Sequence, residues 1–139
     1  HMDMAVSDLM ENLPPVASQV SIGGPVQSSN LYYLHTLGKR ISGSEEVVDG
    51  VFMGGDYEQL SGVLSADERL SKHVRFFVGY SGWGSNQLEG ELKENSWVVS
   101  ELDIVQVMAG KDDLWSKTVK QLGPKYKPWT IYPISPSLN

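Results

Sequence analysis

Hydrophobic positions along the chain fall into short blocks of different period. In "AVSDLMENLPP", Val6, Leu9, Met10 and Leu13 recur at three and four residues before Pro14-Pro15 ends the run, which predicts a short helix. "QVSIGGPV" predicts a strand entering a turn at Gly23, Gly24 and Pro25, and "LYYLHTL" (Leu31–Leu37) a second, aromatic strand. "SEEVVDGVFMGG" predicts two short strands about Asp49-Gly50, after which Asp56 caps a helix reaching Leu64, with Tyr57, Leu60 and Val63 or Leu64 inward. The near-continuous apolar run of "HVRFFVGY" predicts a central strand buried on two sides.

After a glycine-rich corner, the pattern predicts a helix over Asn86–Glu94 capped by Ser85, with Leu88 and Leu92 inward, and then a strand in "SWVVSEL". Asp103–Met108 reads as a short helix. "DDLWSKTVKQLG" reads as the clearest helix, with Leu114, Trp115, Thr118, Val119 and Leu122 on its apolar face and Gly123 at its C-terminal cap. The tail from Pro124 is expected to be extended, with Trp129, Ile131 and Tyr132 covering apolar surface. Strands and helices mix without a βαβ rhythm, so the expectation is α+β.

Composition narrows the chemistry. The 139 residues are expected to form a single domain, 1–139, with an ordinary share of apolar (40%) and charged (20%) positions. With no cysteine, disulfides, thiolate metal sites and cysteine nucleophiles are excluded. No apolar run is long enough to span a bilayer and no secretory pattern opens the chain, so the expected setting is cytoplasmic, with no membrane partner. A net charge of −6 disfavours a broad nucleic-acid surface.

The corner "FVGYSGWGSNQLEGEL" invites three chemical readings. A phosphate loop needs Lys-Ser/Thr after its last glycine, and Ser85-Asn86 follows Gly84 instead. A dinucleotide fingerprint from Gly82-Trp83-Gly84 needs glycine or alanine where Gln87 stands. A nucleophile elbow at Gly79-Tyr80-Ser81 has Trp83 in its second glycine position. An extended strand also separates Ser81 from His73 by about 26 Å. His35 lies in a predicted strand and reads as a structural hydrogen-bonder. The three histidines lack metal-ligand spacing, and the acidic pairs are sequence neighbours that point to different sides. No catalytic residue, metal or cofactor is therefore expected. A cleft uniting Tyr80, Ser81, His35 and Glu91 would reopen a hydrolase reading.

Two binding readings remain. Gln87, Glu91 and Asn95 form a polar helix stripe which, with Tyr80, Trp83 and Trp97, makes a candidate edge for a protein partner. Alternatively, these polar groups only tie the helix to nearby backbone. Five of the eleven basic residues (Lys111, Lys117, Lys120, Lys125 and Lys127) fall near Trp115, Tyr126 and Trp129, an alternative nucleic-acid surface diluted by Asp112 and Asp113.

"GYSGWGSNQLEGELKENSW" (Gly79–Trp97) resembles the motif of the bacterial AlgH family, G-Y-A-G-W-G-x-G-Q-L-E-x-E-L-x-x-N-x-W. "GGPV" (Gly23–Val26) and "YLHTL" (Tyr33–Leu37) match a second motif of that family. Ser81 replaces the usual alanine, and Asn86 the usual glycine, asparagine being tolerant of left-handed backbone. "HMDMAVSDLM" resembles the family's P-L-D-L-T-L-x-D-L-L, with His1-Met2 either native or a cloning scar. The resemblance implies a bacterial cytoplasmic α+β protein with a bifurcated sheet rolled into a pseudo-barrel and helices outside. It gives structural roles to Gly23, Gly24, Pro25, His35, Gly79, Gly82 and Gly84. It also implies that an N-terminal segment of several strands is missing, leaving edges to be covered. Family members are described as transcriptional regulators. The resemblance carries over no catalytic residues, and no helix-turn-helix pattern supports direct DNA reading. A regulatory or interaction protein acting through another protein is the expectation.

Overall fold

The computed structural model describes residues 20–111 and 113–131, the last by its backbone only. The helix expected at Val6–Leu13 and the covering role of Ile131 and Tyr132 lie outside what is described. The chain divides into two compact units between Gly90 and Glu91.

In the first unit, β1 (Val20–Ile22), β2 (Val26–His35), β3 (Glu45–Val48), β4 (Val51–Met53) and β5 (Val74–Tyr80) form a sheet of order β1-β5-β2-β4-β3. β1 runs parallel to β5, and the other pairs are antiparallel. The turn at Asp49-Gly50 forms as expected, Gly50 supplying its positive φ of 75°. The α+β class holds, but the sheet is open: among the described residues β1 and β3 are edges, so no pseudo-barrel closes.

Helix α1 (Tyr57–Ala66) starts where the sequence places its cap, Asp56 Oδ1 accepting the Gln59 amide at 3.0 Å. Its Leu60 and Leu64 pack into one core with Val20, Tyr33, Val74, Phe76 and Val78. Strand alternation sends the intervening residues Tyr32, Leu34, Arg75 and Phe77 to the other face of the sheet. β5 is thus a central strand with apolar residues on both sides.

Helix α2 (Gln87–Lys93) straddles the boundary between the units. It is shorter than predicted and buries no residue, so Leu88 and Leu92 do not enter a core. Asn86, not Ser85, precedes it, in the left-handed conformation (φ 61°) that the substitution of asparagine for glycine allows.

The second unit holds α3 (Ile104–Ala109), α4 (Leu114–Gln121) and a 3₁₀ segment, Pro124–Ile131. Asp103 and Gln106 form a capping box at α3. Gly123, φ 107°, follows α4 as expected. Val119 is buried on α4, but Trp115 is 53% exposed and leaves the predicted apolar face. The expected strand in "SWVVSEL" does not form: residues 97–103 are irregular and join no strand among the described residues. Nor is the tail extended over Pro124–Ile131. Pro124 and Pro128 are accommodated in 3₁₀ turns, and Trp129 packs edge-on against Tyr126 at 5.4 Å.

Candidate functional site

The two glycine motifs meet in space. β1 runs alongside β5 and turns at Gly23-Gly24, so its backbone crosses β5 at Gly79. A β-carbon on Gly23 would lie 2.2 Å from the Gly79 carbonyl oxygen, and one on Gly24 2.3 Å from the Tyr80 carbonyl. Gly79, at φ +68°, would place a β-carbon 2.3 Å from the Gly24 oxygen. Only hydrogen fits at all three positions. Gly82 and Gly84 are different: neither has positive φ, and a β-carbon would meet only the Tyr80 ring at 3.2 Å or the Gln87 side chain at 3.7 Å. Of the glycines given structural roles by the resemblance, Gly23, Gly24 and Gly79 are thus required by the backbone, while Gly82 and Gly84 are not.

This crossing shapes the sheet face away from α1. β2 pairs Val26 with Tyr80 and Leu31 with Val78, so residues 27–30 bulge out opposite Gly79 alone. Strict alternation along β5 would send Tyr80 to the core face, but the left-handed Gly79 redirects it. Its ring stands edge-on to Tyr32, centroids 5.7 Å apart. An open groove of about 710 Å³ results, lined by Tyr32, Leu34, Met53, Phe77, Tyr80 and Gln27 among others. Gln27, at a left-handed φ of 48°, is fixed by hydrogen bonds from the Tyr32 hydroxyl and, at 3.1 Å, the Asn30 amide. Beside the groove, the Arg75 guanidinium stacks 4.8 Å above Phe77 and donates to Ser21 Oγ at 2.9 Å; burial pulls its pKa down.

Tyr33 and His35, on either side of Leu34, serve the opposite face. The Tyr33 hydroxyl donates to the Gly55 carbonyl at 2.8 Å, and burial raises its pKa. His35 is fully buried and stacks on Phe52, ring centroids 5.6 Å apart. Its Nδ1 accepts the Leu37 amide at 3.3 Å, so Nε2 carries the proton and donates to Gly54 O at 3.1 Å. Burial lowers the imidazole pKa, partly countered by that carbonyl. The pair thus pins the Gly54-Gly55 exit of β4, from which Asp56 caps α1.

Ser81 Oγ donates to the Gly23 carbonyl at 3.3 Å, while His35 lies on the far side of the sheet and His73 at the opposite end of β5. His73 is engaged by Thr36 Oγ1 at 2.8 Å. Glu91 falls in the second unit. Within the first unit, Tyr80, Ser81 and His35 are not brought together. Among the described residues no group of three acidic, His or Cys side chains is placed to hold a metal.

The predicted edge divides between the units. In the first, Gln87 Oε1 accepts the Gly84 amide at 3.0 Å, and Tyr80 and Trp83 are partly exposed. In the second, Glu91 accepts the Trp97 indole N–H, and Asn95 lies beyond the helix at φ 58°. The stripe ends at Glu91, and much of its polarity is spent locally. Of the basic cluster, Lys117 pairs with Asp113 at 2.6 Å and Lys125 lies 5.5 Å over Tyr126; Lys120 and Lys127 are exposed. The groove itself was not anticipated. Its signal was the run of Tyr32 and Leu34 beside Tyr33, and of Phe77 beside Phe76 and Val78, which puts apolar residues on both faces of either strand.

Fold and site define a small α+β protein whose motif residues let two backbones cross beneath an aromatic groove. The chain belongs to the DUF179 AlgH-like family, whose model matches residues 1–127. It is 37% identical to a UPF0301 protein of Bacteroides thetaiotaomicron over 94% of this chain and 64% of that one. With a UPF0301 protein of Chlorobium luteolum it shares 35% identity over 99% and 74%. The chain thus spans roughly two-thirds to three-quarters of the length of these relatives. Among solved structures, the AlgH protein of Pseudomonas aeruginosa matches with a TM-score of 0.64 at 23% identity, over 95% of this chain and 73% of that one. A crystal structure from Corynebacterium diphtheriae matches with a TM-score of 0.67 at 18% identity, over 94% and 71%. These two likenesses concern the fold. Among the described residues no helix is long and apolar enough to cross a membrane.

Proposed function

We propose that the chain is a non-catalytic binding protein of the bacterial cytoplasm, which serves regulation through a protein partner held on the sheet face away from α1. The observation that carries this reading is the open aromatic and aliphatic surface of exposed Met53 and Tyr80 with half-buried Tyr32, Leu34 and Phe77, shaped by the crossing of the glycine motifs. An apolar surface with aromatic anchors is what a protein interface uses at its core. The local engagement of Ser81, His35 and His73 supports a binding role over a hydrolytic one.

The test is affinity capture from the native cytoplasm with wild type, a Leu34→Glu variant and a Lys117→Glu/Lys120→Glu variant. A partner retained by the lysine variant and lost with Leu34→Glu fits the proposal. The opposite pattern, with binding that weakens steeply as salt rises, would replace it with nucleic-acid binding through the lysines.

A further inference from the structure

Every Lys and Arg of the first unit comes from two short segments. Lys39 and Arg40 end the 3₁₀ turn Gly38–Arg40, while Arg69, Lys72 and Arg75 lie on or just after the 3₁₀ turn Glu68–His73. Carboxylates outnumber cations in this unit and are scattered along it, whereas the cations gather at one end of the sheet. Two hydrogen bonds join the segments there. The Thr36 amide donates to the His73 carbonyl at 3.0 Å, and Thr36 Oγ1 meets His73 Nδ1 at 2.8 Å. This end of β2 and β5 is remote from the glycine crossing and takes no part in lining the groove.

Two of the five cations are already committed. Arg69 grips Asp67 with Nε at 2.8 Å and Nη2 at 2.9 Å, and Arg75 lies over Phe77. The first pair also neutralises Asp67, the carboxylate whose field reaches Lys72. Lys39, Arg40 and Lys72 are exposed and form no ion pair among the described residues. Thr36 and His73 are half-buried, and their side chains make no other hydrogen bond among the described residues. With the ring proton on Nε2, the hydroxyl donates to Nδ1 and Nε2–H is left to donate; with it on Nδ1, the hydroxyl is left to donate. Either tautomer therefore keeps one unspent donor. Lys72 directly precedes His73, and Lys39 and Arg40 follow Thr36 within one turn of chain. A phosphate group, with several acceptor oxygens and more than one negative charge, suits such donors set among ammonium and guanidinium groups. We infer that the end of the sheet at Thr36 and His73 is a binding site for a small phosphorylated molecule. The Thr36–His73 pair donates to its phosphate oxygens, and Lys39, Arg40 and Lys72 neutralise its charge. The site is independent of protein docking on the sheet face.

Pyrophosphate is the probe. Titrated into the purified full chain and followed by NMR shifts of amides and imidazoles, it should bind saturably, with the largest shifts at residues 36–40 and 72–73. Raising the salt should weaken it, as for any exposed charge contact. Arg40→Ala/Lys72→Ala removes two exposed side chains, leaves the hydrogen-bonded pair in place, and should weaken binding about ten-fold or more. Thr36→Val keeps the shape, removes the hydroxyl, and should weaken it about five-fold. The double variant keeps the test decisive even if Thr36→Val does not fold. Lys117→Glu/Lys120→Glu, in the second unit, should leave the affinity unchanged. Shifts that never saturate, shifts spread equally over the lysines of both units, or affinity untouched in either folded variant of the site overturns the inference. So does a chain that ignores pyrophosphate and answers only phosphatidylglycerol vesicles or a single-stranded oligonucleotide.

Discussion

A fully buried imidazole makes the stability of this chain depend on pH. His35 accepts at Nδ1 and donates at Nε2, so protonation sets a second N–H against the Leu37 amide. Its folded pKa lies below the ordinary 6.5, so the unfolded state binds the proton first. The contribution of His35 is therefore complete above about pH 6.5 and is lost as pH falls below it. Urea melts from pH 8 to 5 should show a midpoint that is flat and then falls, with the fall reduced in His35→Asn. Glycine supplies a second test. Gly24→Ala drives a β-carbon into the Tyr80 backbone and should cost about 3 kcal/mol. Gly82→Ala should cost well under ~1 kcal/mol, since only a ring must yield. Tyr57 adds a third: its hydroxyl is buried without a hydrogen-bond partner among the described residues. Tyr57→Phe should raise stability by about 1 kcal/mol in the same melts. Gly90 has open space around its would-be β-carbon, and nothing in the structure requires glycine there.

Elements whose signals are local were legible in the sequence. Asp56 and Asp103 each announce a helix because a carboxylate can reach an amide two or three residues ahead. Asp49-Gly50 announces a hairpin through the positive φ its turn demands. Asp56→Ala and Asp103→Ala should each cost about 1 kcal/mol in thermal melts. Where a signal needs a distant neighbour, the reading failed. Trp97, Val99 and Glu101 alternate like a strand, yet residues 97–103 join none of the described sheet's strands. Trp115 keeps helical spacing but stays exposed, because periodicity gives a face and not what packs against it. The 3₁₀ segment carries Tyr126 and Trp129 into ring contact, which Pro124 and Pro128 alone did not foretell.

At the scale of the whole chain, the two family motifs, far apart in sequence, cross as backbones and open a groove above the crossing. Both motifs were legible as turns, and the resemblance they carry gave the family. Their meeting was not legible, because it depends on the register of β2 against β5 and on four residues bulging opposite one. The candidate edge drawn along one helix stripe shares only Tyr80 with the groove: Gln87 accepts the Gly84 amide, Glu91 the Trp97 indole, and Asn95 lies beyond the helix. The most direct measurement is a set of proton–proton NOEs recorded by NMR on the purified chain. The account predicts cross-peaks from the Gly24 α-protons to the Ser81 amide proton and between the Tyr32 and Tyr80 rings. Their absence, with the cross-strand NOEs between β2 and β5 present, would contradict it.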